Sequence, residues 1–376
     1  MNLILDRFCE VYQYLKPFRR QEFWSLDQHA IVPGAVYIIG RHEFHKNRDR
    51  WRQLIESGTI RAVFSNPHEG SETIRGQIIS LGLVDLVTAG RLPIITGGSL
   101  PPEWPHFVYD SFLVKVGDYK ENHQAALRTH EIFEKNNKPY KFLFLNGRMR
   151  SHRKWLIERL KLDDILQQSL WTNLDQRDGT NRRIKLVHDG QDLMQSVTPL
   201  QYLPANYEIA AYRTKIGQHD TSQDTFVKHQ LFNNQWGEIY LNADAYIDTY
   251  FSLVTETVFE YPYSFRTEKI AKPLMIGHPW IAVSSCGYYR DLRSLGFATF
   301  ESLIDESFDM IQDNQARIEK IYKVVTHVLE YVDDFLQQAR PICLHNQQHL
   351  TVLADQIQKQ MPEQLLGWIV KHHGEI

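Results

Sequence analysis

Short, densely apolar runs recur along this chain at the spacing of a strand–helix–strand repeat, and that recurrence limits the possible folds more than any other feature. Ala35-Val36-Tyr37-Ile38-Ile39 follows Pro33-Gly34 and stops at Gly40. An unbroken apolar run between turn residues predicts a strand buried on both faces, as in a parallel sheet. Arg48 to Ser57 then predicts a helix with Trp51, Leu54 and Ile55 as its apolar stripe. Ala62-Val63-Phe64-Ser65 is the next strand and runs into the turn-rich Asn66-Pro67-His68-Glu69-Gly70. Glu72 to Leu81 predicts a helix, and Leu92 to Thr96 a strand leading to Gly97-Gly98. The pattern restarts with Lys141 to Asn146 and a helix over Ser151 to Leu162, and again with Phe251 to Glu256 and His278 to Val283. The expected fold class is α/β, with an N-terminal domain over 1–138 and a C-terminal one over 139–310. Residues 311–376 are expected to be helical, since Ile318, Ile321, Val324, Val325 and Val328 recur near helical spacing. Pro341 is expected to interrupt them, with helices resuming over Gln348 to Met361 and Gln364 to His372. Asp175 to Asp189 reads as a polar, turn-rich excursion, and Met194 to Asp244 has no clear pattern.

At 376 residues the chain suits two cores better than one. A net charge of −3 provides no electrostatic drive for non-specific nucleic-acid binding, although the arginine-rich stretch from Arg41 to Arg52 leaves a local basic patch open. Cys9, Cys286 and Cys343 are too scattered for a metal site or a disulfide framework, which suggests reduced thiols and a cytoplasmic protein. Met1 to Glu10 carries Asp6, Arg7 and Glu10, so it does not read as a secretory segment, and no apolar run is long enough to span a bilayer. No phosphate loop, Gly-x-Gly-x-x-Gly or Gly-x-Ser-x-Gly occurs. His42, Glu43 and His45 lack the His-Glu-x-x-His spacing of a zinc peptidase, and no clean Asp-x-Asp offers to hold a divalent metal.

Two constellations carry chemistry. Asn146 ends a strand, and Arg148, Arg150, Arg153 and Lys154 follow around the helix start. Cations there oppose the helix dipole, a local cost that a bound anion would offset. Guanidinium groups and helix amides can stabilise a departing diphosphate, whereas the plainer reading is a solvated basic helix start. The second constellation begins with Phe251-Ser252-Leu253-Val254-Thr255-Glu256. Ser264-Phe265-Arg266-Thr267-Glu268-Lys269 follows, then Ile270-Ala271-Lys272-Pro273-Leu274. Read as strand, loop, helix, strand, it gathers Glu256, Glu268, Lys269 and Lys272 where parallel sheets take nucleotides and phosphates. Carboxylates accept hydrogen bonds from vicinal hydroxyls, and an ammonium meets phosphate as a point charge. Glu268 and Lys272 also form an i,i+4 pair worth only a few tenths of a kcal/mol. Tyr261, Tyr263 and Phe265 suit stacking on a base or sugar and suit core packing equally well.

The stretch from Leu253 to Phe300 resembles the donor-binding region of GT-B glycosyltransferases, most closely the fucosyltransferase group. Val254-Thr255-Glu256-Thr257 stands where that group has Phe-Glu-Asn-Ser, and Phe265 to Lys269 where it has an aromatic-x-Thr-Glu-Lys segment. Gly296 to Phe300 is similar to a Gly-Phe-x-Thr-Phe segment of glycosyltransferase-like phage and bacterial sequences. The resemblance implies two facing Rossmann-like domains and C-terminal helices packing across them. It implies a GDP- or UDP-sugar donor on the C-terminal domain, a glycan or other hydroxyl acceptor on the N-terminal side, no metal or other cofactor, and displacement with inversion. Glu256, Thr267, Glu268, Lys269 and Lys272 would hold the donor, and Arg148, Arg150, Arg153 or Lys154 would meet its diphosphate. The catalytic base would come from the N-terminal domain, Glu69 first and Glu43 next, with His42, His45 and His68 also near strand ends. Two alternatives stay open. One is a non-catalytic carbohydrate- or nucleotide-binding protein on a transferase fold, which the missing Asn-Ser after Glu256 would suit. The other is a DNA-modifying glycosyltransferase.

Overall fold

The computed structural model describes residues 2–18, 21–23, 25–146, 150–176, 184–188, 191–192, 241, 243–260 and 262–374, with backbone alone at 72, 172–176, 184–188 and 191–192. It is a mixed α/β chain that divides into two compact units. The first comprises Met1–Val114, Tyr263–Arg266 and Asp355–Ile376; the second comprises Lys115–Pro262 and Thr267–Ala354.

The first unit holds a sheet of six parallel strands: β1 (Leu3–Asp6), β2 (Gln21–Phe23), β3 (Val36–Gly40), β4 (Arg61–Asn66), β5 (Ile94–Thr96) and β6 (His106–Val108). Their order is β2-β1-β3-β4-β5-β6, so the chain reverses its direction of travel at β1. All five residues of β3 are buried. Tyr37 and Ile39 join one core with Phe64, Trp51 and Ile78, while Val36 and Ile38 join another with Leu5, Val63, Leu365 and Ile369. The period-two alternation feeds both faces, which is why the run reads as continuously apolar. On helix Arg48–Glu56 Trp51 and Ile55 are buried, and Leu54 is half-buried. β1 was not expected, because its apolar run is only Leu3-Ile4-Leu5 between polar neighbours; it is nevertheless an interior strand.

The second unit holds β7 (Tyr140–Asn146), β8 (Leu170–Gln176), β9 (Ile184–His188), β10 (Gln191–Asp192), β11 (Thr249–Thr255) and β12 (Trp280–Val283), in the order β10-β9-β8-β7-β11-β12. β7, β8, β11 and β12 run parallel, and β9 and β10 extend the sheet antiparallel beyond β8. Helix Ser151–Leu162 lies between β7 and β8 in the chain, and helix Glu268–Ile276 between β11 and β12. The strand–loop–helix–strand order read at 251–283 is therefore present. All seven residues of β11 are buried, and Phe142 stacks on Phe251 with centroids 5.5 Å apart. The expected polar excursion at 175–189 instead contains the β8–β9 pairing, in which Asn173 faces Val187 and Gln176 faces Ile184. Strands toward a sheet edge tolerate polar residues, so no apolar run announced them.

The C-terminal region is helical, over Asn314–Glu330 and Val332–His373. The expected interruption at Pro341 does not occur; the break comes at Tyr331, with φ −133° and ψ 37°. A proline inside a helix costs about 3 kcal/mol, whereas each fully buried large apolar side chain returns about 1.5–3 kcal/mol. Phe335, Leu336, Ala339 and Cys343 are all buried around Pro341, so packing outweighs local propensity there. Among the described residues, no helix is long and apolar enough to cross a membrane.

Candidate functional site

In open parallel sheets a ligand crevice forms outside the strand carboxyl ends where the order of travel reverses. In the second unit that point lies between β7 and β11, at Asn146 and Thr255-Glu256. Asn146 is 2% exposed, and its Oδ1 accepts the Thr255 hydroxyl at 2.6 Å. Its Nδ2 has no hydrogen-bond partner among the described residues, and an unmet buried donor is costly. Helix Ser151–Leu162 begins just beyond, and its N-cap residue Arg150 makes no side-chain cap to it.

The basic residues of that helix start are not equivalent. Arg153 is buried, and its Nη2 donates to the Thr255 and Glu256 carbonyls at 2.8 and 3.1 Å. Burial pulls its pKa down to about 10. His152 is stacked on Phe259 with centroids 5.0 Å apart, and its Nε2 donates to the Glu256 carbonyl at 3.0 Å. Burial, with Arg153 beside it, pushes that imidazole down to about 3. Both side chains tie the helix start to the end of β11. Lys154 faces solvent at 65% exposure, 3.8 Å from Glu158. Arg150 is half-buried, and Arg148 lies outside the described residues.

Glu256 is fully buried and takes three protein donors: Thr267 N at 3.0 Å, Thr267 Oγ1 at 2.6 Å and Tyr288 Oη at 2.7 Å. Burial raises its pKa, against the pull of Lys269 and of these donors. Thr267 is the N-cap of helix Glu268–Ile276, and its Oγ1 also accepts from Lys269 N at 3.2 Å. Glu256 thus fastens the end of β11 to the start of that helix. Lys269 Nζ donates to Glu268 Oε1 at 2.6 Å, and their side chains are 18% and 14% exposed. Burial pushes the Glu268 carboxyl up, but Lys269 and Lys272 outweigh it and hold it below the usual range. Lys272 is half-buried on the next turn. A chain of contacts therefore joins Asn146, Arg153, Glu256, Thr267, Lys269 and Glu268 along one sheet edge. Tyr288, remote from Glu256 in the chain, escaped sequence reasoning because no local pattern connects them.

In the first unit the reversal lies between β1 and β3. Asp6 ends β1 at 1% exposure and accepts Phe8 N and Gly40 N, each at 2.9 Å. Burial raises its pKa. A Cβ on Gly40 would lie 2.8 Å from Asp6 Oδ2, so this approach needs glycine. Asp6 was missed together with its short strand. Of the two base candidates, Glu43 is 6% exposed and accepts from Leu26 N at 2.9 Å and Asn47 Nδ2 at 2.8 Å, an internal tie. Glu69 is more open, its side chain 29% exposed and its carboxylate 3.8 Å from Arg41.

Phe265 and Arg266 belong to this first unit. Phe265 bridges to Gly98, and Ser99 N donates to Ser264 O at 3.0 Å. At 2% exposure, the Phe265 ring fills a socket lined by Gly70, Gly97 and Gly98, where added Cβ atoms would meet it at 2.6, 2.8 and 2.9 Å. Of its two readings, core packing is the one the structure adopts; Tyr263 is half-buried, and Tyr261 lies outside the described residues. Gly97→Ala would also place a methyl 2.3 Å from the Pro67 carbonyl oxygen. It is expected to cost about 1–3 kcal/mol by overpacking, read from the midpoint of urea unfolding; an unchanged midpoint would contradict the socket.

No protein-family model matches the chain, and no similar curated protein or solved structure was found. A fold alone does not license a function, so the reading rests on these edges.

Proposed function

We propose that the protein is a glycosyltransferase of the GT-B type, with two Rossmann-like domains, moving a sugar from a nucleoside-diphosphate sugar to a hydroxyl acceptor. The observation that carries this reading is the Glu256–Thr267–Lys269 linkage at the carboxyl edge of β11, beside the Asn146–Thr255 contact at the reversal point. An uncapped helix start, the Asn146 amide and the Arg150 and Lys269 cations are groups suited to a diphosphate whose charge grows as the sugar–phosphate bond breaks. A catalytic cation at that position would do the work without a metal, and direct displacement would invert the anomeric centre; both features follow from the resemblance.

A second reading is a nucleotide- or sugar-binding protein without turnover. It is favoured by Glu256, whose carboxylate is already satisfied by the protein. A thermal-shift panel of GDP, UDP, CMP, dTDP and their sugars, without added metal, followed by an assay of nucleoside diphosphate release from the sugar that binds, separates the two. One nucleotide is expected to stabilise the protein, by about 2.7 kcal/mol at 100-fold its Kd. Lys269→Ala should abolish most of that shift. Arg150→Ala should slow release of the nucleoside diphosphate by about 10²–10³-fold. Stabilisation without turnover in the unmodified protein supports the binding reading, and turnover indifferent to both substitutions sinks the transferase site as drawn.

A further inference from the structure

Helix Ser151–Leu162 opens on Ser151, His152, Arg153 and Lys154 and has no acidic residue in its first turn. Cations at that end oppose the helix dipole, so this helix start is short of negative charge. A carboxylate reaches it from the loop after β11, within the same unit: Glu260 Oε1 accepts the Ser151 hydroxyl at 2.8 Å. Both residues are exposed, and an exposed contact of this kind contributes little to stability. Its interest lies in where it places a negative charge.

That placement is built into the fold. His152 Nε2 and Arg153 Nη2 donate to the Glu256 carbonyl, at 3.0 and 3.1 Å. The Val258 carbonyl accepts Ser284 Oγ at 3.4 Å, and the Phe259 carbonyl accepts Arg317 Nη2 at 2.5 Å. The Phe259 ring, 4% exposed, stacks on His152 and lies 4.4 Å from the Arg317 guanidinium. The loop is therefore fixed as far as Phe259, and the next residue, Glu260, is delivered to the helix start while its side chain stays in solvent. An independent observation points to a ligand at this edge. Asn146, which ends the strand before this helix, is 2% exposed, and its Nδ2 has no partner among the described residues.

We propose that Glu260 is a specificity-determining residue of the donor site, an assignment that rests on the transferase reading above. Its carboxylate occupies the helix start and competes there with a bound diphosphate. It thereby penalises the released nucleoside diphosphate more than the nucleotide sugar. The reason is charge. In the transfer the anomeric carbon passes to the acceptor oxygen, whose proton is lost to solvent. The electron pair of the broken bond stays on the diphosphate oxygen, so the product is more negative than the donor. Arg150, Lys269 and a helix start attract the product more strongly than the donor and would retain it. A carboxylate among them repels each in proportion to its charge, which tips the balance toward the donor and speeds release. Glu260 touches no reacting atom in this scheme.

Glu260→Gln tests this, because it removes the charge and keeps an oxygen for Ser151. Calorimetric titration compares it with the unmodified protein, using inorganic pyrophosphate and the nucleoside diphosphate and nucleotide sugar that stabilise the protein in the panel. The variant is expected to bind pyrophosphate and the nucleoside diphosphate about 3–10-fold more tightly, and the nucleotide sugar only about 2-fold. In steady-state turnover, the product-inhibition constant should fall about 3–10-fold against about 2-fold for KM, a split that a purely structural role would not produce. Equal affinities in the two proteins, or an equal gain for product and sugar, overturn the role of Glu260 and leave the transferase reading standing. Weaker binding by the variant makes Glu260 a ligand contact and overturns the proposal as well. Tighter pyrophosphate binding by the variant, with no turnover by either protein, supports the competing carboxylate and overturns the transferase reading. If neither protein binds any of the three probes, both fall.

Discussion

Asp110→Ala is expected to lower the unfolding free energy by about 3–5 kcal/mol. Arg266 Nε donates to Asp110 Oδ1 at 2.6 Å, and the two side chains are 6% and 9% exposed. Arg266 Nη1 also donates to Ser264 Oγ at 2.9 Å, so the guanidinium is held in place whether or not its carboxylate remains. Removing Asp110 takes from a buried guanidinium the carboxylate that its Nε meets, and the cost of breaking the pair exceeds the net worth of having it. That asymmetry provides a sharper test. Replacing both partners by apolar residues, Asp110→Leu with Arg266→Met, should recover most of the loss, because no uncompensated charge is left behind. Urea unfolding of the single and double variants decides the matter. A single substitution costing under about 1 kcal/mol would mean that the pair is not formed in solution, since surface pairs are worth about that much.

Acidification should destabilise the second unit through two histidines. His278 is fully buried, its Nδ1 2.9 Å from Ser252 Oγ and its Nε2 donating to Thr249 O at 3.0 Å. Burial pushes it down to about 3, and His152 is pushed to about 3 in the same way. An unfolded histidine titrates near pH 6.5. The folded state therefore binds fewer protons, and this stability, complete above about pH 6.5, is lost as pH falls from there toward 3. At pH 5 the loss is about 2 kcal/mol per histidine. The carboxyls of Glu256 and Glu306, raised by burial, act in the opposite sense, their contribution growing as pH falls through the raised folded pKa and complete below the unfolded value of 4.5. His278→Gln should shrink the difference in unfolding free energy between pH 7 and pH 5 by about 2 kcal/mol, whatever it costs at pH 7. An unchanged difference would show that His278 is not buried as a neutral ring.

The candidate site was only partly legible before the fold was known. Asn146, Glu256 and Lys269 mark strand and helix ends that local pattern reveals, and the structure joins them by hydrogen bonds along one edge. The pattern did not reveal that Arg153 turns inward to two carbonyls, or that Phe265 is a packing residue. Nor did it reveal β1, and so Asp6 went unseen: three apolar residues make too short a periodic signal to separate from a turn.

What the sequence alone determined is the set of strands β3, β4, β7, β11 and β12, of which all but β12 are interior to their sheets, and the helices between them. An unbroken apolar run bounded by turn residues can satisfy its backbone and bury both faces only inside such a sheet. What only the tertiary structure decided is which polar groups the protein itself consumes. Tyr288 reaches Glu256 across 32 residues and Asp110 reaches Arg266 across 156. Burial and hydrogen-bond supply are properties of such distant partners, and they decide which side chains at the sheet edges fasten the fold.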